Sequence, residues 1–374
     1  IHKVSFVDFY IKALKMNPQN YTIISNLAKA YFDTGKFVVA KKYCFEALEL
    51  NKNDGNIHKI LSLIYLREQN YMDGWLYFDG RLNLSDFVEK NSSINNIRKK
   101  LFKGNNLNKD SKILVLREQG VGDEILYGTM YGDLLIKHKN VTIECDERLK
   151  NIFCNSFPKY KKSFVVFGSV SHNKKLLDNY DVAIYAGSLG RFFRNNIKDF
   201  KNGCYLYPQD DLIKDARERL NKIGNKINVG LSWKSFKNRY ASEKSLKLED
   251  FKNILETKNL YFINLQYGDV EDEIKDFNKK FGIKITTLKN LDILNDFSNL
   301  AAVLKNLDLF ITVSNSTAHL AGSLGVKTLL IRPKNHAIFH YWNQPGNKTP
   351  WYKTITFLDK NYILDKNNLK NKYL

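Results

Sequence analysis

Lys112-Ile-Leu-Val-Leu-Arg-Glu-Gln-Gly-Val-Gly-Asp-Glu-Ile-Leu-Tyr-Gly128 joins an apolar run to two glycines, an acid and a second apolar stretch. The run 112–116 has the length and composition of a buried strand, and Asp123 stands where a helix would begin. Glycines at 120 and 122 allow positive φ and let a ligand or another backbone come close. The helix start that follows offers unbonded N–H groups and the positive end of its dipole. Gln119-Gly120-Val121-Gly122 alone is a weak motif, lacking the third glycine of a dinucleotide fingerprint and the Lys-Ser/Thr of a phosphate loop. Asp123 has two readings: an N-cap that closes the helix, or a general base at a cleft. The second carries a tension, because a helix amino end stabilises carboxylate and weakens it as a base.

The alternation of short apolar runs with helical segments continues downstream. Strands are predicted at 112–116, 141–145, 162–167 and 181–185, with a helix reaching about Lys137 and another near 147–156. A second series starts at Ile227-Asn-Val-Gly-Leu-Ser-Trp233 and continues through Leu260–Gln266, Ile283–Leu288, Leu307–Val313 and Thr328–Ile331. Its helices fall near 248–257, 270–281 and 296–306, and from Thr317. This is the βαβ pattern of parallel sheets. Two Rossmann-like domains facing one another would put both sets of strand carboxyl ends on one cleft, where open α/β sheets bind ligands.

Upstream the period changes. Leu27, Ala28, Tyr31, Phe37 and Ala40 overlay Leu61, Ser62, Tyr65, Tyr71 and Gly74 at an offset of 34 residues, the length of a tetratricopeptide repeat. Ala13, Leu14 and Asn17 overlay Ala47, Leu48 and Asn51 at the same offset. Small residues mark helix contacts, Tyr and Phe fill the gaps between units, and Gly35 lets the chain turn. A helix pair cannot bury its apolar face alone, so two units and half of another should dock on the next domain or continue in further sequence. The first residue is Ile, which reads as a truncated N-terminus. The polar stretch between Leu82 and Asp110, with Asn91-Ser-Ser93 and Gly104-Asn-Asn106, reads as a linker around one short helix.

At 374 residues, with 43% hydrophobic and 13% aromatic residues, the chain can build two or three packed domains. Its 59 Lys+Arg against 39 Asp+Glu give a net charge of +20, which fits a nucleic acid or an anionic substrate such as a nucleotide diphosphate. The basic residues are spread along a Lys-, Asn- and Ile-rich chain rather than gathered in a stripe, the pattern left by codon usage, so no nucleic-acid partner is expected. No run approaches the roughly 18 apolar residues of a spanning helix, and the first residues lack the charged and apolar regions of a signal peptide; a cytoplasmic protein without a membrane span is expected. Cys44, Cys145, Cys154 and Cys204 lack metal spacing and read as reduced, mostly packed thiols.

Two further stretches carry chemistry. Thr312-Val-Ser-Asn-Ser-Thr-Ala-His-Leu-Ala-Gly-Ser-Leu-Gly325 follows a strand and opens a helix with small hydroxyl residues, whose side chains and backbone can donate to phosphate oxygens. His319, one turn in, either adds a donor or is a core histidine with both nitrogens satisfied. Gly230-Leu-Ser-Trp-Lys-Ser-Phe236 runs from a strand into a loop and is followed by Lys244-Ser-Leu-Lys247; these lysines either neutralise a leaving diphosphate or are solvated. No Asp-x-Asp and no Gly-x-Ser-x-Gly occurs. His336 and His340 are spaced i, i+4, but Pro333 and the surrounding sequence read as a loop and no third ligand is evident, so no metal site is expected.

Taken together the motifs resemble those of bacterial GT-B glycosyltransferases that carry tetratricopeptide repeats. Asn70-Tyr-Met-Asp-Gly-Trp-Leu-Tyr-Phe-Asp-Gly-Arg-Leu82 looks like the repeat terminus that precedes such domains. Arg117–Asp123, Gly187-Ser-Leu-Gly190, Gly230–Lys234 and Ala318–Gly325 then recur in the family's order. The catalytic part is similar to lipopolysaccharide heptosyltransferases and, more distantly, to O-linked N-acetylglucosamine transferases.

The resemblance implies an α-helical tetratricopeptide array at 1–82, a linker at 83–110, an acceptor-side Rossmann-like domain at 111–212 and a nucleotide-sugar-binding one at 213–374. It implies metal-independent, inverting transfer of a sugar from a nucleotide diphosphate to a hydroxyl of a protein or saccharide, with no cofactor. Asp123 would be the base, and Gln119, Gly120 and Gly122 would shape the acceptor-side loop. Ser232, Lys234 and Lys244 would face the diphosphate, Gln266 would lie near the nucleotide, and Ser316, Thr317 and His319 would close on the phosphates. A protein or peptide acceptor would sit in the repeat groove. Heptosyltransferases usually carry an Asp where Ser314 or Asn315 stands here, so the donor contact differs. The competing expectation is a repeat-based protein-binding scaffold with a catalytically inactive GT-B part.

Overall fold

The computed structural model describes residues 6–84, 97–102, 104, 107–201, 203–222, 227–236, 241–333 and 337–359. Most of the predicted linker, His336 and the last residues of the chain lie outside them. The chain divides into two compact units: 1–106 with 188–200 and 334–346, and 107–187 with 201–333 and 347–374.

The first unit is helical, with helices Phe6–Met16, Tyr21–Asp33, Phe37–Leu50, Gly55–Arg67 and Tyr71–Phe78. Short polar side chains start three of them: Asn20 accepts from the Ile23 N–H, Asp54 from Asn56 and Ile57, and Asn70 from Asp73. The sequence repeat is also a geometric one. Gly35 and Gln69 are both left-handed, at φ 75° and 63°, and end their helices with the same bond, Lys36 N–H to Tyr31 O and Asn70 N–H to Tyr65 O. Tyr31 stacks on Tyr43 at 5.6 Å and Tyr65 on Tyr77 at 5.9 Å. Leu27, Ala28, Ala40, Cys44, Ala47, Ile57 and Leu61 fill the core between these helices.

Two segments from later in the chain complete this unit. The Trp75 indole N–H donates to the Arg194 carbonyl at 2.9 Å, and a Cβ on Gly190 would fall 2.4 Å from the Trp75 ring. Asp79 accepts from Ser188 and Arg191, each at 2.6 Å, while Arg81 donates to Ser188 Oγ and to the Phe78 carbonyl. Gln344 donates to the Leu66 carbonyl at 3.1 Å. Trp75, Asp79 and Arg81 of the 70–82 stretch therefore hold the Ser188–Gly190 turn in place.

The second unit holds two sheets, every ladder of which is parallel. One contains β1 (Ile113–Leu116), β2 (Val141–Cys145), β3 (Phe164–Val166) and β4 (Val182–Tyr185) in the order β3-β2-β1-β4. The other contains β5 (Ile227–Ser232), β6 (Leu260–Asn264), β7 (Ile285–Thr287), β8 (Leu309–Val313), β9 (Thr328–Ile331) and β10 (Ile355–Leu358) in the order β10-β9-β8-β5-β6-β7. Helices on the faces bury central strands on both sides, which is why β1 and β8 are apolar at nearly every position. The helical first region and the parallel α/β sheets expected from the sequence are both present. β10 and the helix Asp210–Asn221 were not expected, and that helix runs across the anticipated division at 212/213. Cys44 and Cys145 are buried, Cys204 is exposed, and none of the four cysteines is disulfide-bonded. Among the described residues no helix is long and apolar enough to cross a membrane.

Candidate functional site

Strand order reverses once in each sheet. From β1 the chain runs outward through β2 and β3, then returns to place β4 on the other side of β1; β5, with β6 and β7 on one side and β8 on the other, repeats the scheme. The crevice outside the carboxyl ends at such a point is where open α/β sheets bind ligands. At the first crevice the buried Glu118 accepts the Gly187 N–H at 2.6 Å, tying the loop after β1 to the loop after β4. At the second, Asn315 Nδ2 donates to Ser232 Oγ at 2.8 Å, tying the loop after β8 to the end of β5.

The two crevices meet at Gly122. A Cβ there would lie 3.1 Å from His319 Cδ2 and 3.3 Å from Ser316 Cα. Without one, the helices Val121–Gly128 and Ser316–Leu324 pack together at their amino ends. Gly120 and Gly122 do not take up the positive φ that glycine allows. The left-handed residue is Gln119, at φ 62°, and Gly120 is extended at φ −100° and ψ 169°. The backbone turns one residue before the glycines, and Gly122 serves close approach.

Asp123, half-buried, accepts the Gly120 N–H at 3.2 Å, so its carboxylate closes the helix start. Ser316 and the buried Thr317 form the first turn of the second helix, capped by Asn315, whose Oδ1 accepts from Ala318 at 3.0 Å. His319 is buried, with Nδ1 3.1 Å from the Tyr352 hydroxyl. Ser232 and Gln266 are buried and bonded to each other: Gln266 Oε1 accepts from Ser232 Oγ and from the N–H groups of Trp233 and Lys234, at 2.7–3.0 Å. Those bonds shape the loop after β5. Lys234 Nζ pairs with Glu273 at 2.6 Å, and Lys244 ends the short helix Ala241–Lys244. Among the described residues no group of three or more His, Cys, Asp or Glu is placed to hold a metal ion.

Sequence reasoning passed over two features. The first is Tyr352. The second is Glu124, fully buried behind Asp123, whose carboxylate accepts from Arg117 Nε at 2.7 Å and from the Asp146 N–H at 2.8 Å. Arg117 and Arg148 both donate to Asp146, and Arg148 reaches the Leu294 carbonyl at 3.2 Å. Burial pushes the Glu124 carboxyl up to about 7 against the opposing charge of Arg117. Between its unfolded value near 4.5 and about 7 the folded state holds a proton that the unfolded chain has released. This contribution to stability is full below the lower value and is lost as pH rises through the upper. We expect the urea midpoint to fall between about pH 5 and about pH 8 in the wild type and to fall less in Glu124→Gln. Equal pH dependence in both proteins would show that Glu124 stays ionised.

No family model matches the chain. It is 25% identical to protein FlbA of Caulobacter vibrioides over 93% of its own residues, and spans 59% of that protein's length. Among solved structures it is similar to a glycosyl transferase family 9 protein of Veillonella parvula, at 14% identity and a TM-score of 0.47, covering 72% of this chain and 93% of that one. It is also similar to the ADP-heptose lps heptosyltransferase II of E. coli, at 10% identity and a TM-score of 0.43, covering 66% and 90%. An O-GlcNAc transferase of Thermobaculum terrenum is 10% identical with a TM-score of 0.33, covering 98% and 86%.

Proposed function

We propose that the chain is a glycosyltransferase of GT-B type, which moves a sugar from a nucleotide diphosphate to a hydroxyl acceptor without a metal. One observation carries this reading: the helices that follow β1 and β8 meet amino end to amino end at Gly122, each at the crevice of its own sheet. Two such ends offer backbone N–H groups and two positive dipole ends to one anion. A departing diphosphate is an anion of the right kind, and fixed dipoles stabilise it with no reorganisation at the moment of reaction.

In this scheme Ser316, Thr317 and His319 face the phosphates, and Lys234 and Lys244 add positive charge from the loop after β5. Lys234 would exchange Glu273 for the donor when the nucleotide enters. Ser232 and Gln266 act by holding the loop that carries Lys234. Gln119, Gly120 and Gly122 shape the acceptor side, and Asp123 removes the acceptor proton in an inverting displacement. The helical repeats are read as tetratricopeptide units that present a protein or peptide acceptor.

The alternative, a repeat-based scaffold with an inactive GT-B part, gains from two observations. Asp123 is engaged as a helix cap, and Lys234 is ion-paired. Thermal shifts against UDP, ADP, GDP and CMP and their sugars decide first. A ligand at about 100 times its Kd should stabilise by about 2.7 kcal/mol, and the shift should survive EDTA. A folded protein that responds to no nucleotide would favour the scaffold, and a shift abolished by EDTA would refute the metal-free donor site.

A further inference from the structure

We propose that Tyr352 is a positioning residue that holds His319 as its Nε2–H tautomer, so that the imidazole presents a hydrogen-bond donor beside the paired helix amino ends. The use of that donor on a phosphate rests on the function proposed above; the tautomer itself does not.

Tyr352 lies just before β10, outside every stretch that the sequence marked. A Cβ on Gly322 would stand 2.5 Å from Tyr352 Cγ and 2.8 Å from Cδ1. Gly322 is therefore small because the tyrosine ring lies flush against the helix Ser316–Leu324. That slot, which leaves Tyr352 only 1% exposed, brings its hydroxyl to His319 Nδ1, one turn closer to the helix start. The two rings meet edge to face, their centroids 5.8 Å apart at 70°.

Two proton arrangements fit the 3.1 Å contact. A neutral imidazole has one donor and one acceptor nitrogen, and the bond made by one nitrogen sets the state of the other. A phenol O–H is a stronger donor than an imidazole N–H, and an imidazole nitrogen is a stronger acceptor than a phenol oxygen. The hydroxyl therefore donates, and the histidine proton resides on Nε2. Burial and the nearby Asp123 charge hold the phenol well above its ordinary range, so it keeps this proton throughout the neutral range. The opposite edge of the imidazole faces Gly122, where a Cβ would sit 3.1 Å from Cδ2 and 3.7 Å from Nε2. Nε2–H thus adds a side-chain donor at the place where the backbone donors of both helices converge.

The test uses the full chain, with histidine labelled in nitrogen-15 and the His319 signals assigned by their loss in His319→Asn. Long-range nitrogen–proton spectra of the wild type should show Nε2 protonated. Tyr352→Phe keeps the ring in its slot and removes only the hydroxyl, and should give a mixture of tautomers. In the same variant the nucleotide that shifts the wild type should bind about fivefold more weakly. An Nδ1–H tautomer in the wild type, or an unchanged tautomer in Tyr352→Phe, overturns the assignment. Unchanged nucleotide affinity in that variant overturns the donor role. Absence of nucleotide binding by the wild type overturns the proposed function and the donor role with it, while the tautomer is judged on the spectra alone.

Discussion

Trp75→Ala is expected to destabilise the helical unit by about 3–5 kcal/mol. The indole is 1% exposed and packs edge-on against Phe78 and His340. Gly190 is held against its face so closely that any side chain there would collide. Truncation leaves a large cavity and also strips the buried Arg194 carbonyl of its indole donor. Trp75→Phe should restore most of the packing while still losing that bond, for a cost nearer 1–2 kcal/mol, about what one buried hydrogen bond and a modest volume change contribute. With two units in the chain a single unfolding free energy is ill defined, so amide exchange in Gly55–Arg67 and Tyr71–Phe78 is the suitable readout. Exchange unchanged in Trp75→Ala would mean that the 188–200 segment does not stabilise these helices.

The same residues show where the sequence was legible and where it was not. Gly74, Trp75, Asp79 and Arg81 stand out as a motif, but the partners of Trp75, Asp79 and Arg81 lie 107–119 residues further on, and no local period reports such a pairing. β1 and β8 were legible because parallel strands covered on both faces are apolar at nearly every position, and β2 and β5 because their apolar residues are β-branched or alternate within a short run. The helix Asp210–Asn221 was not, because only Ala216 and Leu220 of its residues are buried and, apart from Leu212 and Ile213, the rest is charged or polar. β10 is four residues at a sheet edge, too short for alternation to distinguish from a loop. The loops that meet at the candidate site were legible as small and glycine-rich strand ends. What their side chains bond to was not: Ser232 and Gln266 have the polarity of ligand contacts, and folding turns both inward onto the same loop. Tyr352 gave no signal, since its meaning depends on the empty slot at Gly322.

Asp123→Asn is expected to lower release of nucleoside diphosphate from the sugar nucleotide at least about 100-fold, the usual worth of a general base, while leaving nucleotide binding intact. The substitution is chosen because Asp123 has a structural task as well. Its carboxylate accepts the Gly120 N–H, and an asparagine oxygen can accept the same bond. What the amide lacks is basicity and the negative charge that favours a helix amino end, the latter worth about 0.3–1 kcal/mol. Stability should therefore fall only slightly in Asp123→Asn, and by about 1 kcal/mol in Asp123→Ala, where the cap is lost as well. A base and a cap make opposite demands on this residue, since the donors that hold the carboxylate also lower its affinity for a proton. The tension is eased if the Gly120 bond lengthens when the acceptor enters, and a proton then moves to the oxygen that the backbone releases. Nucleotide binding with turnover retained in Asp123→Asn would assign the residue to the helix start alone and place the base elsewhere. Loss of turnover in the asparagine variant at nearly unchanged stability separates the chemical task from the structural one, which Asp123→Ala cannot do because it removes both.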